Sequence, residues 1–501
     1  MSKKYELDRR RILKNITALG ATASISPVWQ ALADDRRTAV VVGSGIAGLS
    51  AAYDLQEAGF AVTVFEKRHM AGGRMRLDWM GPLYGEVHAE QIWEGNLEMN
   101  DLADKIGIAE EFTVNQPDGP MTVYTPVDNG DGPYGVATRF HTTEILATPG
   151  FSDKLKQDLL KLLPDLAEIR ATVDPCLLHT GAAWDDESLF DYLAGKLGKE
   201  GARRFTDDWV APGWLYPWVQ KAEEVSKIGL LSIVAQQDKR WINPLDIGLM
   251  TRTLASLLNV KVNTTVMRIT PPNATGRHTV HYLTSNGQRS SITPDVVVCA
   301  TEGNFVMPMV QELSHRQKSF FNQVHLQQDT WVTYILKKGT GPKTFMAGSR
   351  GLTASHPGYA KQTSEFGWYA VPERAGGVQG EVGQGTDYKG RAMVGGPFLN
   401  EEQAAAWRDS GRSLADYCMP LIQKGYPDLT WDKVDDVVVR GGDGLIMFNT
   451  GLPTAMAEFI RHEEKEKHGL YFCGEYLSHA HTGAACASGR MVARTIAKHW
   501  T

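Results

Sequence analysis

"RRTAVVVGSGIAGLSAAYDLQEAGFAVTVFEKR", residues 36–68, decides the fold. "TAVVV" (38–42) is an apolar, β-branched run of the kind that becomes a strand buried on both faces. "GLSAAYDLQEAG" carries the 3.6-residue period of a helix that Gly59 ends, and "AVTVFE" (61–66) is a second strand. The glycines fall at the strand-to-helix junction. Gly43 allows a tight turn, Gly45 lets a pyrophosphate approach the backbone, and Gly48 lets helix and strand pack closely. Ile46 and Ala47 open the helix, whose unpaired N–H groups and positive dipole end face that diphosphate. Glu66 ends the second strand where an acid accepts hydrogen bonds from ribose hydroxyls, with Lys67 next to it. An acid there disfavours a 2′-phosphate, and so NADP. These residues alone leave NAD and FAD open.

The composition fits a multi-domain enzyme. The chain has 501 residues, which suggests two or three folding units. With 52 basic and 58 acidic side chains, a net charge of −6 and a pI near 6.2, nothing marks a nucleic-acid surface. The 50 glycines, without collagen period or low-complexity tract, imply many tight turns and close backbone approaches. Five cysteines (176, 299, 418, 473 and 486), odd in number and lacking CxxC spacing, argue neither a disulfide framework nor a zinc site. No metal site is expected.

Residues 1–33 read as an address and not as fold. "DRRRILK" sets Arg9 and Arg10 ahead of an apolar stretch from Ile16 to Trp29, and "ALADD" offers small residues at Ala31 and Ala33 for a signal peptidase. The order resembles a twin-arginine export signal, which implies the twin-arginine machinery as partner and a periplasmic or otherwise exported destination for a protein folded around its cofactor. No other segment has about 20 uninterrupted apolar residues, so no membrane span is expected in the mature chain.

Two further motifs carry a resemblance. "EKRHMAGGRMR" (66–76) places Gly72, Gly73 and Arg74 after the ribose acid, and "GLYFCGEYLSHAHTGAACASGRMVARTIAKHW" (469–500) runs from a strand to Gly474 and Glu475 and then to Gly483 and Ala484 at the head of a last helix, with Ser488 and Gly489 inside it. Both resemble the flavin-containing amine oxidase and phytoene desaturase superfamily, which includes the protoporphyrinogen oxidases. The resemblance implies FAD, and a Rossmann-type FAD-binding α/β domain beside a mixed α+β substrate domain. Glu475 then serves the diphosphate and ribityl chain, and the last helix stabilises negative charge at the flavin pyrimidine. "LMTRTLASLLNVKVNTTVMRIT" (249–270) looks like the return to the nucleotide domain, with Val266 where the backbone contacts adenine in relatives, and "PDVVVCAT" (294–301) like the next core strand. The expected division is 34–105, 245–301 and 435–501 for the FAD domain, with 106–244 and 302–434 forming the substrate-binding cap.

The substrate half is less legible. Trp209, Trp214, Tyr216 and Trp218 crowd together, with Trp241 later; they suit either core packing of a cap or an aromatic wall that orients an amine. His479 and His481 lie in the loop that passes the flavin edge in relatives, where an imidazole can orient substrate, exchange a proton, or hydrogen-bond backbone. In many amine oxidases a lysine holds a water against flavin N5 in a strand resembling "QDTWVTYILKK" (328–338); Trp331 takes that position. Monoamine oxidases attach the flavin to a cysteine where "RGGDG" (440–444) has Asp443, so non-covalent FAD is expected.

The resemblance implies oxidation of an amine or amino acid by hydride transfer to flavin N5, with oxygen or another acceptor reoxidising the flavin. The alternatives are a desaturase or dehydrogenase of a larger apolar substrate, and a flavoprotein partner without turnover.

Overall fold

The structure is a computed structural model that describes residues 36–80, 83–86, 89, 92–93, 95–112, 121–126, 133–136, 153–206, 221–236, 241–242, 246–327, 330–342, 345–348, 368–371, 392–399, 401–423, 426–441, 444–465 and 467–500. Residues 1–33, expected to be an export signal, the aromatic run at 207–220 and Asp443 lie outside the described residues.

A parallel sheet gathers strands from distant parts of the chain. In chain order these are β1 (Thr38–Val42), β2 (Ala61–Phe65), β3 (Val260–Lys261), β4 (Val296–Cys299) and β5 (Leu470–Phe472), and their spatial order is β5-β4-β1-β2-β3. Val40 stands beside Val297 on one side and Thr63 on the other, and Val297 beside Leu470. Three stretches separated by hundreds of residues thus share one sheet.

Strand alternation sorts the core into two layers. Ala39, Val41, Val62, Val64, Val296, Val298 and Tyr471 face helix α1 (Ile46–Glu57) and the last helix, α4 (Thr482–Trp500), meeting Leu49, Leu55, Val492 and Ile496. Val40, Val42, Phe65, Val297, Cys299 and Phe472 face the other way, toward Phe321 and Phe459. Phe459 lies on α3 (Leu452–Glu463), and Phe321 and Phe472 meet edge-on with ring centroids 5.1 Å apart. Because both faces are covered, "TAVVV" can be apolar throughout, and each buried valine stabilises the fold by about 1.5–3 kcal/mol.

A seven-stranded mixed sheet forms the second layer, in the order 434–441, 330–336, 393–399, 368–371, 345–348, 121–126, 133–136. Helices Glu401–Asp409 and Leu414–Ile422 cover one face, where Val332, Tyr334 and Val394 pack on Leu414, Cys418 and Ile422. The Tyr334 hydroxyl donates to the Ala415 carbonyl at 2.7 Å. Strand Val434–Gly441 belongs to this sheet, antiparallel to Thr330–Leu336. The expected FAD-domain segment that begins at 435 thus opens on a strand of this sheet. Its valines satisfy either sheet, and only the long-range pairing decides between them.

Candidate functional site

The glycines of the first loop each meet a distinct geometric demand. Gly43 has φ +105°, and a Cβ there would lie 2.7 Å from the Ala300 carbonyl oxygen. Gly48 closes α1 onto the loop, since its Cβ would lie 2.1 Å from the Gly43 oxygen. Gly45 caps α1 at φ −67°, a conformation open to any residue, and nothing lies within 4 Å of its Cβ position. Space, and not strain, is what Gly45 provides, in front of the first-turn N–H groups at Ile46, Ala47 and Gly48 that have no helical acceptor.

Glu66 is 4% exposed and held from two sides. Ser44 donates to Oε2 through its N–H (3.0 Å) and its hydroxyl (2.6 Å), and the Arg68 N–H donates to Oε1 at 2.8 Å. A carboxylate offers about four acceptor sites, so the expected ribose contact has room beside these bonds. Thr264 donates its N–H to the Glu66 carbonyl at 2.8 Å, which brings the strand Thr265–Ile269, with Val266, alongside. Lys67 is exposed, with Nζ 4.6 Å from the centre of the Phe305 ring. That cation–π contact keeps it at the rim.

The second glycine pair folds back on the first loop. The Gly72 N–H donates to the Ser44 carbonyl at 2.9 Å, and a Cβ on Gly73 would lie 3.0 Å from Gly45 Cα. Arg74, next in line, pairs through Nη2 with Glu475 Oε2 at 2.8 Å and donates from Nη1 to the Gly444 carbonyl at 3.1 Å. Glu475 is 6% exposed, and its Oε1 is buried without a hydrogen-bond partner among the described residues. Gly474, at φ +149°, donates its N–H to Ser488 Oγ at 3.0 Å, fastening this loop to α4.

An open cradle at Gly45 and an unpaired buried acceptor at Glu475 fit a cofactor with a diphosphate and a hydroxylated chain. Gly43, Gly45, Ile46, Ala47, Gly48, Glu66, Gly72, Gly73, Arg74, Gly474 and Glu475 are brought to one region.

The two histidines have other partners. His479 Nδ1 accepts from the Ala480 N–H at 2.8 Å and its Nε2 faces the Gly229 carbonyl at 2.7 Å. His481 Nδ1 accepts from the Ala484 N–H at 3.1 Å and its Nε2 faces the Pro175 carbonyl at 3.2 Å. Each ring therefore carries its proton on Nε2 and is neutral. Burial pushes His479 down to about 4; burial and the neighbouring His479 push His481 down to about 3. Proton exchange near neutral pH, the role expected for His481 or His479, would require one of these backbone contacts to break. His481 is the N-cap of α4, its ring accepting the third N–H of the helix. The Ala484 N–H, at the helix end expected to face the flavin pyrimidine, is taken by this ring.

Gly483 is required for a different reason than expected. A Cβ there would lie 1.9 Å from Asn96 Cγ, because the Asn96 amide lies across the first turn of α4. Nothing in "EGN" signals this contact. Gly489 is a packing residue, since its Cβ would lie 2.0 Å from the Ala47 carbonyl on α1. Trp331 lies in strand Thr330–Leu336 opposite Arg440, and its side chain falls outside the described residues. Among the described residues no group of three or more His, Cys, Asp or Glu could hold a metal, and no helix is long and apolar enough to cross a membrane.

The profile of the family "Flavin containing amine oxidoreductase" matches residues 46–497. Protoporphyrinogen oxidase 2 of Arabidopsis thaliana is 37% identical over 78 residues, a match spanning 15% of this chain and 15% of that protein's length. Among solved structures, putrescine oxidase bound to putrescine superposes with a TM-score of 0.64 at 16% identity, covering 92% of this chain and 99% of that one. A putative protoporphyrinogen oxidase from Exiguobacterium sp. 255-15 gives 0.64 at 14% identity, with the same coverage. At such identities the likeness establishes the shared fold.

Proposed function

The chain belongs to the flavin containing amine oxidoreductases, whose cofactor is FAD, and on that premise we propose that it oxidises a small amine or amino acid and works outside the cytoplasm. The observation that carries the cofactor reading is the Arg74–Glu475 ion pair, which ties the loop after the second strand, folded back on the first nucleotide loop, to the loop entering the last helix. In this reading α1 and its glycines hold the diphosphate, Glu66 the adenosine ribose, the backbone at Val266 the adenine, and Glu475 Oε1 a hydroxyl of the ribityl chain. Bound FAD supplies the two-electron acceptor.

The chain's own part is binding, orientation and exclusion of water. His479 packs on Phe448 with ring centroids 4.9 Å apart and on His481 at 5.2 Å. Neutral, buried imidazoles bring no positive charge to repel a cationic amine and leave no acceptor for its proton. In this reading the amine loses its ammonium proton to water or to a group other than these rings.

A larger apolar substrate is the second reading, favoured by the same uncharged wall. FAD is held non-covalently in either case, and residues 1–33 direct export. Acid precipitation of the purified protein should release FAD into the supernatant, and anaerobic mixing with an amine and amino-acid panel should bleach the flavin band. Bleaching only by apolar donors would replace the amine reading with the second one. Lysine substitutions at Arg9 and Arg10 should hold the unprocessed chain in the cytoplasm, and unchanged export would refute the signal.

A further inference from the structure

Asn96 has given up the bond its position offers. It occupies the cap of helix Leu97–Lys105, yet its side chain makes no cap bond there, a choice that forgoes about 1 kcal/mol. The amide instead lies over the first turn of α4, in the space that the missing side chain of Gly483 leaves. Cys176, buried against Ala484 and Ala487, donates its thiol to Asn96 Oδ1 at 3.1 Å. That bond fixes which way the amide faces. Asn96 is 1% exposed, and its Nδ2, on the side away from the thiol, is buried without a partner among the described residues.

A buried amide donor left unpaired costs about 1–3 kcal/mol. Here the cost adds to the missing cap, and among the described residues only the Cys176 thiol bond to Oδ1 answers the amide, leaving Nδ2 unmet. The donor sits at the positive end of a 19-residue helix whose Ala484 N–H is already taken by the His481 ring. A ligand that presents an acceptor oxygen to this end would satisfy Nδ2 and meet the helix dipole at once.

We infer that Asn96 is a cofactor-binding residue, donating through Nδ2 to a carbonyl oxygen of the flavin ring system at the start of α4, and that Cys176 is the residue that positions it. The inference rests on the FAD reading above. It gives a side chain the donor role that the start of the last helix was expected to fill with backbone.

The test uses the purified holoenzyme, with FAD dissociation followed by flavin fluorescence and the reduction potential by dye equilibration. Asn96→Ala should weaken FAD binding about tenfold, the worth of one buried hydrogen bond. Asn96→Asp keeps the shape and the acceptor for Cys176 but replaces the donor by a carboxyl group. It should disfavour the reduced flavin by at least about tenfold, roughly 30 mV for a two-electron couple. Cys176→Ala should shift the potential in the same direction by less, and Cys176→Ser, which keeps a donor, should restore it. If both Asn96 variants match the wild type in FAD affinity and potential, or lower only the melting temperature of the flavin-free protein, the inference is wrong. A wild-type protein that holds no FAD would instead refute the reading on which it rests.

Discussion

Arg74 Nη2 and Glu475 Oε2 stand 2.8 Å apart, joining the loop after the second strand to the loop before the last helix. Arg74 also reaches the Gly444 carbonyl, so one guanidinium ties together three chain segments at the proposed cofactor site. The carboxylate it holds keeps one oxygen free of protein partners. The pair is therefore a clasp on the fold and, at the same time, the device that aims Glu475 Oε1.

Removing the cation should be worse than removing the anion. Arg74→Ala leaves Glu475 buried and uncompensated, a change that typically destabilises by about 3–5 kcal/mol. Glu475→Gln keeps hydrogen-bonding capacity and buries no unpaired negative charge, so it should cost about 1–2 kcal/mol. Urea unfolding of the two flavin-free variants checks the order, and losses below about 1 kcal/mol in both would show that the pair contributes no more than a surface contact.

Gly45 and Gly489 should separate binding from folding. A Cβ on Gly489 would lie 2.0 Å from the Ala47 carbonyl, so Gly489→Ala must push α4 from α1 and cost about 3 kcal/mol. Gly45→Ala meets no protein atom within 4 Å and has an ordinary φ, so the flavin-free protein should melt as the wild type does. Its FAD affinity should nonetheless fall by about tenfold or more, because the methyl group occupies the cradle. Thermal melting with and without added FAD reads both, and a Gly45→Ala protein that binds FAD normally would remove the diphosphate from this loop.

The difference between these glycines also marks what the sequence discloses. Gly43, Gly45 and Gly48 are legible because they fall in a local strand-turn-helix pattern, although the carbonyl that Gly43 clears belongs to the distant Ala300. Arg74 was legible as part of a motif, but its partner was not, since no local pattern ties it to Glu475. His479 and His481 show the opposite limit. Their spacing suits proton chemistry, yet the carbonyls of Gly229 and Pro175, from elements far away in sequence, decide that both rings stay neutral. Asn96 and the strand Val434–Gly441 are illegible for the same reason, since their partners come from tertiary pairing.

Neutral buried histidines set a direction for stability against pH. Unfolded, each imidazole titrates near its ordinary 6.5; folded, His479 titrates at about 4 and His481 at about 3. Between those values the unfolded chain binds more protons than the folded one, so stability rises with pH. The contribution is fully present above 6.5 and is lost as pH falls toward about 4 for His479 and about 3 for His481. His479→Gln keeps a donor for the Gly229 carbonyl and does not titrate, so its melting temperature should fall less steeply than the wild type's between pH 6.5 and 4. Neither ring should produce a limb in the pH profile of turnover near neutrality. A limb near 6.5 that disappears in His479→Gln or His481→Gln would show that one of the rings takes up a proton during the reaction.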